Sequence, residues 1–108
     1  MRKLDAKLAA RLGNDVAHNG WCYILKTEDG VKDLPEYSTD GNDMLELIDE
    51  MLERGWKIMT IYSYGEYTVY FENSQAGIKV TAEHKKLVTA VALTAYKALY
   101  GKEWTDGQ

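Results

Sequence analysis

Glu46, Asp49, Glu50 and Glu53 recur at i, i+3, i+4 and i+7, the spacing that gathers side chains on one side of a helix. They end a longer acidic run. From Glu28 to Glu53 there are ten acids and one base, Lys32, a net of −9 within a chain whose total is −4. The first sixteen residues carry four bases and two acids, and Lys79 to Lys102 carries five Lys against Glu83, so opposite charges are segregated along the sequence. A carboxylate ridge repels nucleic acid and attracts basic protein surfaces. The plainer role of such a ridge is a solvated face that keeps a small protein soluble. A hydrolase could use paired carboxylates, but these look like a solvent face.

Other residues with chemical potential are weaker signals. Tyr62, Tyr64, Tyr67 and Tyr70 cluster in one short stretch. Exposed, Tyr64 and Tyr67 would suit protein recognition; otherwise they fill the layers between sheet and helix. Tyr37, Ser38 and Thr39 precede a helix, where hydroxyls and free backbone N–H groups could hold a small anionic ligand; capping explains the same residue types, and Asp40 would oppose an anion. His18 and His84 do not form a ligand-spaced pair, and neither a calcium loop nor a His-x-x-x-His motif occurs, so no metal site is expected. The single Cys, Cys22, lies in a predicted strand and reads as a buried thiol rather than a nucleophile. Ser38 and Ser63 lack an elbow motif, and no phosphate-binding glycine loop is present. The expectation is a protein that is not an enzyme and uses no cofactor.

These residues need elements to position them. The chain has 108 residues, 45% of them hydrophobic and 28% charged, which fits one soluble domain over 1–108. One Cys rules out a disulfide scaffold, no apolar run reaches the length of a membrane span, and the N-terminus shows no signal-peptide pattern. Leu4, Leu8, Leu12 and Val16 predict an amphipathic helix with a basic outer face, of three turns before Gly13-Asn14 ends it. Trp21 to Leu25 reads as a strand and Thr27 to Gly30 as a turn. Met44, Leu45, Ile48, Met51 and Leu52 form the apolar stripe of a second helix, with Ser38, Thr39 and Asp40 as cap candidates and Gly55 as its stop.

From Trp56 the period becomes two. Trp56, Ile58, Thr60 and Tyr62 alternate with Lys57, Met59 and Ile61, so both faces of this strand read as partly buried. Tyr64-Gly65-Glu66 turns into Tyr67–Phe71, and Ile78 to Val80 adds a third strand. Val88, Val91, Ala92, Ala95, Tyr96 and Leu99 mark a final helix, with Thr81 as N-cap candidate and Gly101 as stop. The fold class is α+β: an α/β/α sandwich with a mostly antiparallel sheet of three to four strands covered by helices.

The stretch Leu34-Pro35-Glu36-Tyr37-Ser38-Thr39-Asp40, followed by an amphipathic helix and then Arg54-Gly55-Trp56, resembles the phage ABA sandwich domain, a family of small bacteriophage and prophage proteins of unknown function. The likeness covers roughly Trp21 to Leu99; Gly41-Asn42 departs from it. The resemblance implies an α/β/α sandwich and a phage origin, and it implies no catalytic residues. Taken with the charge layout, it leads to the expectation of an accessory protein in the cytoplasm of a bacterial host. That protein would bind a host protein with a basic surface, such as a defence nuclease complex, through Glu46, Asp49, Glu50, Glu53, Tyr64 and Tyr67. The other reading is a homo-oligomeric sponge that sequesters a nucleotide signal. Neither reading needs a membrane, and the sparse basic residues argue against nucleic acid.

Overall fold

The structure is a computed structural model and describes residues 2–105. The chain forms α1 (Arg2–Arg11), β1 (Asp15–His18), β2 (Tyr23–Thr27), β3 (Gly30–Asp33), α2 (Gly41–Glu53), β4 (Lys57–Ser63), β5 (Glu66–Asn73), β6 (Ile78–His84) and α3 (Leu87–Tyr100). Two three-stranded antiparallel sheets result, β1-β2-β3 and β4-β5-β6. The α+β class, the antiparallel pairing and the helices laid on the larger sheet are as expected. The first sheet adds β1 and β3 to the one strand expected in this region, and Val16 belongs to β1 rather than to the apolar stripe of α1. Gly13, at φ +97, stops α1, so Val16 faces inward from a strand instead.

One apolar cluster unites the molecule. It draws Leu4 and Leu8 from α1, Leu25 from β2, Leu47 and Met51 from α2, Val69 and Phe71 from β5, and Val91, Ala95 and Tyr96 from α3. Helix α3 packs on β5 and β6, α2 meets β4 and α3, and α1 packs against both α3 and the β1–β2 pair. Small, fully buried residues at Ala90, Ala92 and Ala95 let one face of α3 approach its neighbours closely at this junction.

Pairing register sorts the larger sheet into two faces. Ile58–Phe71–Val80 and Thr60–Val69–Ala82 form rows beneath the helices. Lys57–Glu72–Lys79, Met59–Tyr70–Thr81 and Ile61–Thr68–Glu83 form rows on the opposite face. That second face was expected to be partly covered. Met59 and Ile61 are instead 51% and 44% exposed. Period-two alternation cannot separate a covered apolar face from an open one.

Helix α2 shows a similar shift. Its buried stripe is Met44, Leu47 and Met51, with Ile48 half-buried; Leu47 is 0% exposed, whereas Leu45 and Leu52 are 54% and 50% exposed. Three leucines offered two overlapping stripes, and the angle at which the helix docks chose between them. Asp40 is the N-cap, accepting from the Asn42 and Asp43 N–H groups at 2.9 and 3.0 Å. Helix α3 begins at Lys86 without a side-chain cap, because β6 runs on through His84; Thr81 lies inside that strand. Gly101 closes α3 with φ +75, as expected. Cys22 is exposed, not buried. Asn19 Oδ1 accepts from both the Trp21 and Cys22 N–H groups, folding them into a loop and delaying β2 to Tyr23.

Candidate functional site

The carboxylates of α2 line a groove. Glu46, Asp49, Glu50 and Glu53 are all exposed, and they share a hollow of about 330 Å³ with Leu12, Leu25, Pro35, Tyr37 and Lys32. Leu25 and Lys32 are cross-strand partners on β2 and β3, so the small sheet supplies one wall and the helix the other. A second hollow of about 510 Å³ shares Lys32, Pro35 and Glu46 and adds Asp33, Glu36 and Asp43. The two form one trough in which seven carboxylates face two bases, Lys32 and Arg2. Arg2 is already committed to Asp5 and to the Leu34 and Pro35 carbonyls.

The field of this trough registers on Tyr37. Burial pushes its phenol up to about 12, and the nearby charges of Glu46, Asp43, Glu50 and Asp5 push the same way. The phenol therefore stays neutral, an apolar ring with a hydroxyl tip among anions. Ion pairing on the ridge is slight: Glu50 meets Arg54 at 3.9 Å, an exposed i, i+4 contact worth little. Among the described residues no group of three or more His, Cys, Asp or Glu is placed to hold a metal ion. Four carboxylates spread over two helical turns suit an extended cationic ligand better than a compact cation.

The segment expected to hold an anion has another task. Ser38 is fully buried; its N–H donates to Asp5 Oδ1 at 2.9 Å and its carbonyl accepts from Thr89 Oγ1 at 3.0 Å. The Asp5 carboxylate, also fully buried, meets Arg2 at 3.0 Å through its other oxygen. Tyr37-Ser38-Thr39 thus pins the entry to α2 onto α1 and α3. Thr39 is exposed, and its N–H turns back to the Glu36 carbonyl. The free N–H groups of α2 are taken by Asp40, which leaves an anion both unserved and repelled. Of this trio only Tyr37 belongs to the groove.

Tyr64 and Tyr67 do not line the trough. Tyr64 is fully exposed at the β4–β5 hairpin tip, in the left-handed region at φ +53 with Gly65 at +78, the two-residue turn that normally selects Asn or Gly. Tyr67 is half-buried and stacks on Tyr62 at 4.6 Å. Sequence reading found the ridge but missed its partners. Asp5 did leave a signal, an acid set among Leu4, Ala6, Leu8 and Ala9 of a mostly apolar helix face.

No family model matches the chain, and no curated protein and no solved structure matches it significantly. The phage-family likeness therefore rests on the Pro35–Asp40 stretch and the elements that follow it.

Proposed function

We propose that this is a non-enzymatic binding protein whose trough receives a lysine- or arginine-rich protein segment. One observation carries the reading: Glu46, Asp49, Glu50 and Glu53 share a groove with Tyr37 and are opposed there by Lys32 alone. A basic side chain entering it would meet carboxylates across its guanidinium or ammonium and the partly exposed Leu12 and Pro35 along its stem. The resemblance to phage proteins supplies the setting: an accessory protein in a bacterial cytoplasm that occupies the basic surface of a host protein, such as a defence nuclease complex. A phosphate-bearing signal molecule is opposed by the same field, which weighs against the nucleotide sponge.

Calorimetric titration with an Arg/Lys-rich peptide tests the reading. Binding should weaken steadily as salt rises and vanish when Glu46, Asp49, Glu50 and Glu53 are all changed to Lys, with the fold intact by circular dichroism. Glu28→Lys, an exposed acid in the β2–β3 turn, should bind as the parent does. Equal binding by the quadruple variant would leave the ridge as a solubilising surface only.

A further inference from the structure

The open face of β4-β5-β6 has a layout of its own, independent of the trough. Among the described residues α2 and α3 are the elements that touch this sheet, and Ile58, Val69, Phe71 and Val80 point toward them. The other face carries Met59 and Ile61 on the edge strand β4 and Tyr70 on the central strand β5, where a solvated antiparallel sheet would ordinarily be polar. Its edges are charged with opposite signs. Lys57 and Lys79 flank Glu72 in the first row, and Glu83 ends the row that begins at Ile61. Lys79 leans over Tyr70, 5.0 Å from the ring centre.

This pattern is complementary to itself. A half-turn about the Met59–Tyr70–Thr81 row lays that row on its own copy. The same rotation carries the Lys57–Glu72–Lys79 row onto the Ile61–Thr68–Glu83 row. Lys79 of each molecule then meets Glu83 of the other, twice. Glu72 meets Thr68, and the Lys57 stem lies over Ile61, so no like charges are brought together. We infer that two copies of the chain pack face to face through these sheets as a twofold dimer. Three strands of about seven residues offer a face of about 14 by 24 Å. That is about 340 Å² per partner, less than half the about 800 Å² of a standard interface, so the dimer is a weak one that forms only at high concentration.

Analytical ultracentrifugation of the full chain over a concentration series decides the matter. The wild type should shift from monomer to dimer as the concentration rises through about hundreds of micromolar, and Met59→Asp, which sets two like charges against each other on the twofold row, should remain monomeric with an unchanged circular dichroism spectrum. Lys79→Glu and Glu83→Lys should each weaken the dimer by about tenfold or more through like-charge contact. Combining both changes in one chain, or mixing the two single variants, should restore it. A wild type that stays monomeric throughout, or a double variant no better than either single one, overturns the twofold arrangement.

Discussion

Asp5 is the residue whose removal tests the internal logic of the fold most sharply. Its carboxylate is fully buried and joins three segments: Arg2 at 3.0 Å on α1, the Ser38 N–H at 2.9 Å, and through Ser38 the Thr89 hydroxyl of α3. Asp5→Ala strands the Ser38 N–H in the interior without water, a loss of about 1–3 kcal/mol. The broken pair with Arg2 adds about 1 kcal/mol or less, since the guanidinium is partly exposed and keeps its bonds to the Leu34 and Pro35 carbonyls. The expected total is about 1–4 kcal/mol. Asp5→Asn preserves an acceptor for Ser38 and should cost about 1 kcal/mol. Ser38→Ala removes a buried hydroxyl whose oxygen has no hydrogen-bond partner, so it should be neutral or slightly stabilising. Urea unfolding at constant slope reads all three. If Asp5→Ala unfolds at the wild-type midpoint, or if Asn costs as much as Ala, the carboxylate is not the joint described.

Two further outcomes follow from burial and charge. Leu47→Ala should cost about 2–5 kcal/mol, whereas Leu45→Ala and Leu52→Ala should each cost under about 1 kcal/mol; comparable losses at all three in urea melts would mean α2 docks by a different stripe. The Tyr37 phenol has a folded value of about 12 against an ordinary 10.0, so its contribution to stability is intact below pH 10 and lost as pH rises toward 12, because the unfolded chain releases that proton first. Melts across this range should show the decline and Tyr37→Phe should lessen it, while Glu46→Gln with Glu50→Gln should lower the Tyr37 value in a tyrosinate absorbance titration without bringing it to 10, since burial is the larger cause.

Local chemistry sufficed wherever one residue or one short period decides the backbone. Asp40 capping α2, Gly101 ending α3, the Tyr64-Gly65 turn and the alternation of β5 all depend on neighbours within a few positions. The acidic ridge was legible for the same reason, because helical geometry converts the spacing of Glu46, Asp49, Glu50 and Glu53 into one face. What faces that ridge was not legible. Leu25 and Lys32 reach the trough from β2 and β3, and Pro35 from the segment that follows, because the small sheet lies beside α2, a placement that no local spacing encodes. The choice of Leu47 over Leu45 and Leu52, the burial of Asp5 against Ser38, and the open side of β4-β5-β6 likewise depend on contacts between segments far apart in sequence. Periodicity states that a face exists; only the packing of one element on another determines whether protein, water or a second molecule covers it.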